Sequence, residues 1–436
     1  MKMLRIMLMA IVLPGLVSCE LCKAGGISKV KSVQKDTVNF TTLGRIDGDN
    51  ILIEQNTDLK GAICKLPEGK KLVFKKGTIR NGTLVGNNTK LNCKQYAFDK
   101  IKIQGTWNVP EISTKLFFDL GYENSLRDVV ALAHPKIQNK IIIEKGDYIV
   151  KANKNKEVCL TICGNTELIL NGVIRMIPNE YPRYDIIKAN GHNISIRGNG
   201  MIVGDKHTHL GTTGEWGMGI KFHGVVNASV SGLTIKDCWG DCIYVGGNSK
   251  NVLIENCMLD HGRRQGISVT KADSVTIRNC KISNVKGTNP QYAIDLEPNA
   301  NDTVDHVLIE NVEVVDCEGG FYATIGRKNI EKKHIGDVRI INCQASALTK
   351  YPIRMTSCES VLISRCKVNS RNERPAIYTR NTHSVAIKNN IINVEKDIYS
   401  SVKNTVKEIV GKKGFVPIEI IKADRQEVKD NKIVER

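Results

Sequence analysis

The sequence predicts an all-β protein built as a solenoid, a parallel β-helix, and three observations predict it. First, three successive segments between residues 227 and 302 repeat one pattern: apolar alternation, a polar-Cys step, a turn and a second short strand. They read NASVSGLTIKDCWGDCIYVGGNSK, NVLIENCMLDHGRRQGISVTKAD and SVTIRNCKISNVKGTNPQYAIDLEPNAND. Superposing residues 233–235 on 252–254 and 275–277 brings Cys238, Cys257 and Cys280 into one column, at steps of 19 and 23 residues. Second, no unit holds an amphipathic helix; each consists of period-2 runs between Asn, Gly, Asp and Lys turns. Third, a unit this short cannot bury an apolar face alone, so the units must stack on a continuous core.

Taken in order, the chain opens Met-Lys-Met-Leu-Arg, stays apolar over residues 6–13 and reaches Leu16-Val17-Ser18-Cys19. This resembles the signal of a bacterial lipoprotein of the Bacteroidetes type. The resemblance implies removal of residues 1–18, acylation of Cys19 and a lipid anchor in the outer membrane, on either its periplasmic or its surface face. No second apolar run approaches the ~18 residues of a membrane span. Removing residues 1–18 deletes Lys2 and Arg5 and no acidic residue, so the formal charge of +18 becomes +16. That excess suits an acidic glycan or a membrane surface; nucleic acid is not an expected partner for an envelope protein.

Residues 19–40 have few large apolar side chains and read as a linker. Residues 41–120 form an N-terminal β region, with strands expected at 50–53, 72–74, 83–85 and 100–103. A helix over 125–133 (SLRDVVALA) opens the solenoid of residues 121–436 and caps its otherwise open sheet edge. Coils then follow through residue 384, another helix is expected at 401–410, and a strand at 416–421 closes the chain. Fourteen Cys in an envelope protein would ordinarily signal disulfides. Here Cys238, Cys257, Cys280, Cys343 and Cys366 all follow the same Ile-x-x step, which predicts a stacked column of reduced, buried thiols. The one Cys-x-x-Cys pair, Cys19 with Cys22, falls at the lipidation site, so no metal site is expected. Asn256, Asn279, Asn311 and Asn342 share one position and predict an asparagine ladder in a buried turn.

Side chains alternate along a strand, so placing Ile243, Ile267, Ile294, Ile353 and Ile377 inward fixes what faces out. The outward column is Lys221, Tyr244, Ser268, Asp295, Arg354 and Tyr378; two positions on lie His223, Thr270, Glu297, Thr356 and Arg380. Just before these strands come Asp237, Asp241, His261 and the run Arg263-Arg264-Gln265. A face that mixes carboxylates, cations and aromatics points to chemistry on a glycan. Asp241, Asp295, Glu297 and Asp237 are the catalytic candidates. Arg263, Arg264, Gln265, Tyr244, His261, Lys221, His223, Arg354 and Tyr378 are the candidates for substrate contact.

Residues 160–302 resemble the pectin-lyase-like superfamily, nearest to the polygalacturonases of glycoside hydrolase family 28. The run Asn193-Ile-Ser-Ile-Arg-Gly-Asn-Gly-Met-Ile-Val-Gly is similar to the strand before that family's catalytic coils. Gly240-Asp241-Cys242-Ile243 is similar to its Asp-Asp-Cys-Ile motif, with Asp241 at the second Asp and Gly240 replacing the first. The Gly-His-Gly strand falls on Arg264-Gln265-Gly266 and the Arg-x-Lys motif near Ile294-Asp295-Leu296-Glu297, so both are absent. The resemblance implies a right-handed β-helix and leaves the family's substrate open.

From the residues themselves, the leading expectation is a glycoside hydrolase, in which one carboxyl protonates the leaving oxygen and another activates water. Strand spacing puts Asp241 and Asp295 ~10 Å apart at Cα and Asp295 and Glu297 ~6.6 Å apart, both suited to inversion. No cofactor is needed for this. Two alternatives stay open. One is a polysaccharide lyase, with Arg264 or Lys221 as base and a calcium ion on Asp295 and Glu297; the other is a non-catalytic glycan-binding or scaffold protein.

Overall fold

A computed structural model describes residues 36–435 apart from 95, 122, 124, 153–156, 327–333 and 396–416. The signal segment, Cys19, most of the expected linker and the helix expected at 401–410 lie outside these residues.

Strands between Thr37 and Asn108 form an eight-stranded, mostly parallel sheet in which Arg45–Asp47 pairs antiparallel with Asn50–Ile53. Its apolar side closes on Trp107 and on Phe98, whose ring packs against Phe74 and Phe117. The expected helix is present but short, Leu126–Val130. Leu126, Val129 and Leu132 are sealed at the start of the core, and Arg127 Nε donates to the Cys159 carbonyl, so the helix covers the first coils as a cap.

Beyond it the backbone winds as a solenoid whose coils each contribute three short strands, and every strand pairs in parallel with its counterpart one coil on. On the first face Ile220, Ile243, Ile267, Ile294, Phe321, Ile353 and Ile377 stack inward in register, all sealed from solvent. On the second, Val230, Ile254, Ile277, Ile309, Ile340, Ile363 and Ile387 do the same. Ile202, Ile235, Leu259 and Ile282 begin the third. Such ladders need no residue longer than the ~4.8 Å strand spacing allows, which is why Ile and Val dominate them.

Two expectations about the turns change. Residues 233–235 do not align with 252–254: Thr234 pairs with Met258 on the third face, while Val252 pairs with Ala228 on the second. Second-face and third-face strands carry the same Ile-x-x-Cys text, and alternation cannot tell them apart. Cys238 therefore leaves the column of Cys257, Cys280, Cys343 and Cys366, where Leu233 takes its place. The column itself is free and buried. Each thiol donates to the carbonyl two residues back, as Cys257 does to Glu255 at 3.2 Å and Cys280 to Arg278 at 3.2 Å.

The asparagine ladder exists in part, with Asn311 Nδ2 on Asn279 Oδ1 at 3.1 Å and Asn342 Nδ2 on Asn311 Oδ1 at 2.6 Å, but it is exposed rather than buried. Its residues sit at φ values of 52 to 54°, a left-handed turn that Asn adopts more easily than other side chains, so backbone conformation selects them. A second ladder through Asn165, Asn193, Asn227 and Asn251 runs along the turn between the first and second faces.

Candidate active site

The outward column of the first face is present in the expected register: Lys221, Tyr244, Ser268, Asp295, Arg354 and Tyr378 are successive partners, with Tyr322 between Asp295 and Arg354. It is not an exposed column. The strands Gln265–Val269 and Tyr292–Leu296 are buried at every position, inward and outward alike. Asp241 is 0% and Asp295 1% exposed.

Arg264 organises what lies there. Its Nη1 is 3.3 Å from Asp241 Oδ2, its Nε 3.6 Å from Glu215 and its Nη2 4.0 Å from Glu297. Asp241 also accepts from Ser268 Oγ at 2.7 Å. Asp295 Oδ2 accepts from the Gln265 amide, while its Oδ1 is buried without a hydrogen-bond partner. Burial raises the pKa of Asp241, against the lowering effect of Arg264 and Ser268. Burial and then the Glu297 charge raise that of Asp295 well above the carboxylate range, with Arg264 opposing. Burial alone would lower the Arg264 pKa; Asp241, Asp295, Glu215 and Glu297 together hold it above the usual arginine value.

The other candidates divide. Gln265 is fully buried and splits its amide between Asp295 and the Tyr292 N–H (2.8 Å), so it orients Asp295 and offers nothing to a substrate. Arg263 lies 3.7 Å from the Trp239 ring centre and donates to the Gly214 carbonyl at 2.8 Å, a bracing role. Asp237 faces His207 (3.1 Å) and Lys236 (3.8 Å), and His261 faces Asp260 (2.7 Å) and His207. These two belong to a turn network rather than to the guanidinium cluster. Lys221 pairs with Asp185 at 3.4 Å and sits over the Tyr244 ring, whose hydroxyl meets Thr270 at 2.7 Å. His223 is exposed beside them; partial burial, Lys188 and Lys221 lower its pKa.

Arg354 and Tyr378 belong to a second group, which begins at Tyr322 one coil past Asp295. The Arg354 guanidinium lies 5.4, 5.3 and 5.7 Å from the ring centres of Tyr322, Tyr351 and Tyr378, and Tyr322 stacks on Tyr292 at 4.3 Å. Arg374 covers Tyr351 and Lys350 covers Tyr292.

Sequence reasoning missed Tyr322, because Phe321 rather than Ile precedes it. It also missed Glu215, which arrives on the connection over residues 204–215 with no local signal. Gly240, where the resemblance expected Asp, has a steric reason: a Cβ there would lie 2.6 Å from the Glu215 carbonyl oxygen.

The donor set does not fit calcium on Asp295 and Glu297. Asp295 gives one oxygen to Gln265, and Arg264 already supplies the positive charge between the carboxylates. Among the described residues no group of three or more His, Cys, Asp or Glu is arranged to hold a metal ion.

A sequence profile described as "Right handed beta helix region" matches residues 174–333 and 266–433. The chain belongs to the right-handed β-helix family. Two curated relatives, both from Bacillus subtilis (strain 168), share this region. The SPbeta prophage-derived uncharacterized protein YorA is 31% identical over 38% of this chain and 34% of its own length. The uncharacterized protein YclG is 28% identical over 43% of this chain and 37% of its own. The chain therefore spans about a third of the length of the curated relatives it matches. Among solved structures, the A-module of the Azotobacter vinelandii mannuronan C-5 epimerase AlgE6 superposes with a TM-score of 0.51 at 11% identity, covering 73% of this chain and 96% of that one. The likeness is one of fold.

Proposed function

We propose that this right-handed β-helix is a glycoside hydrolase that cleaves an acidic polysaccharide laid along its first face. The observation that carries the reading is the cluster of Glu215, Asp241 and Glu297 on Arg264 with Asp295 beside it, in which burial raises the pKa of Asp295 while Glu297, 37% exposed at its side chain, stands two residues along the same strand. Carboxyl groups driven to different protonation states by their surroundings are what glycosidic hydrolysis uses. Asp241 and Asp295 have no surface for a sugar to touch, so they act through Arg264 and Glu297. Arg354 and the tyrosines around it offer positive charge and ring faces for an anionic sugar on the following coils. A lyase with Arg264 as its base is less well supported, because a guanidinium whose charged form the surrounding carboxyl groups favour is a poor base.

The protein is to be screened on acidic and neutral polysaccharides for new reducing ends without ultraviolet absorbance. In Glu297→Gln, turnover should fall ~10²- to 10⁴-fold with glycan binding kept. An unsaturated, absorbing product would select the lyase, and binding without cleavage the scaffold. We also propose that acylated Cys19 holds the protein at the outer membrane, since acyl burial contributes ~0.8 kcal/mol per CH₂. Cys19→Ala should then move it to the soluble fraction; unchanged membrane association would reject the anchor.

A further inference from the structure

Four carboxyl groups surround Arg264, and two of them cannot meet a sugar because they have no exposed surface. The two that can are Glu297 and Glu215, 37% and 33% exposed at their side chains. Their carboxylates approach nitrogens bonded to the same Cζ of Arg264, at 4.0 and 3.6 Å. One planar cation therefore lies within ion-pair range of both, without a hydrogen bond from its Nε, and draws them toward the same space.

Glu215 is carried there by a connection that is fixed along its length. At the near end Asp205, 2% exposed, accepts from Tyr184 Oη, from Asn179 Nδ2 at 2.8 Å and from Asn179 N at 3.2 Å, and meets His209 Nδ1 at 2.8 Å. In the middle His209 stacks on Trp239 at 3.8 Å, while Arg263 lies 3.7 Å from the same ring centre. Two groups so close cannot share one face, so Trp239 is sandwiched between them. At the far end Arg263 holds the Gly214 carbonyl at 2.8 Å, and Gly240 leaves room for the Glu215 main chain. A glutamate delivered by three separate fixings to the guanidinium that also holds Glu297 is placed more tightly than a solvated surface residue would be.

Resting on the hydrolase reading above, we propose that Glu215 is the second reacting carboxylate of this site and serves as its general base, with Glu297 as the general acid. Glu215 takes a proton from a water as that water's oxygen bonds to the anomeric carbon. Glu297 gives a proton to the leaving glycosidic oxygen as the carbon–oxygen bond breaks. One water is consumed, and exchange with solvent restores both groups.

The test uses the full-length protein on whichever polysaccharide of the screen it cleaves. Glu215→Gln should lower kcat at least ~100-fold with KM little changed, and should abolish the acidic limb of the pH–rate profile, which a merely structural residue would leave in place. Glu215→Asp keeps a carboxylate and should keep that limb at reduced kcat. It also guards against a Gln variant that does not fold, since a folded Asp variant with wild-type kcat would count against the proposal. Formate added to Glu215→Ala should restore part of the rate. Wild-type kcat in Glu215→Gln beside an inactive Glu297→Gln would overturn the role of Glu215 and leave the hydrolase standing. Wild-type kcat in both variants, or no polysaccharide cleaved by the wild type, would overturn the hydrolase reading itself.

Discussion

A carboxyl group sealed from water with one oxygen unpartnered, as Asp295 is, ties stability to pH with a definite sign. Its folded-state pKa is raised above the ordinary 3.8 by burial and by Glu297. Between that value and the folded one, the native protein keeps a proton that the unfolded chain has released. The contribution is therefore fully present below about pH 3.8 and is lost as pH rises through the folded pKa. Asp241 acts in the same direction. Asp295→Asn presents a carbonyl oxygen to the Gln265 amide and has no charge to bury, so its melting temperature should decline less than that of the wild type between pH 4 and 8. Equal slopes would show that Asp295 ionises without cost. At this scale the sequence was a fair guide to which side chain stood in the column and a poor one to its exposure. Alternation placed Asp295 and Ser268 on the outward side, but outward is a direction relative to the core, and whether other chain covers that side is decided by connections hundreds of atoms away in sequence.

Among the elements, the connection over residues 204–215 is the one alternation could not find. Its fixings at Asp205, His209 and Glu215 reach Tyr184, Trp239 and Arg264, partners 21 to 49 residues away that no local pattern links. The strands, by contrast, were legible because each repeats the same contact with its own copy one coil on, and the slip at Cys238 shows the limit of that legibility. Glycine 240 offers a direct probe of the connection. A Cβ added there would stand 2.6 Å from the Glu215 carbonyl oxygen and 2.7 Å from the Gly217 nitrogen, both backbone atoms that can yield only by moving the chain. Gly240→Ala should lower stability by about 1–3 kcal/mol and reduce turnover together. Gly121→Ala, whose added Cβ meets nothing closer than the Asp119 side chain at 3.2 Å, should do neither. A Gly240→Ala protein with wild-type melting and turnover would mean that the connection can shift without consequence.

For the whole molecule, a formal charge of +18 says little until its placement is known, since 63 Lys and Arg set against 45 Asp and Glu could be spread evenly. On the first face they are not. The coils that carry Asp241, Asp295 and Glu297 gather carboxylates on Arg264, whereas the next coils set Arg354, Arg374 and Lys350 against tyrosine rings. A polyanion lying across both would be held by the second group while the first acts on it. Such attraction is long-ranged at low ionic strength, where the screening length is ~30 Å at 0.01 M, and nearly local at 1 M, where it is ~3 Å. Arg354→Met keeps an unbranched stem among Tyr322, Tyr351 and Tyr378 while removing the charge. Its affinity for an anionic polysaccharide should fall about tenfold or more at 0.01 M salt, a change in line with ~1.5–3 kcal/mol for a hydrogen bond to a charged group. The difference from wild type should shrink as salt is raised, and a neutral glycan of the same length should bind both proteins alike. Titration calorimetry across a salt series reads all three. An Arg354→Met deficit that is the same at 0.01 M and 1 M, or that extends equally to the neutral glycan, would mean that Arg354 serves packing and that the anionic part of the proposed substrate is wrong.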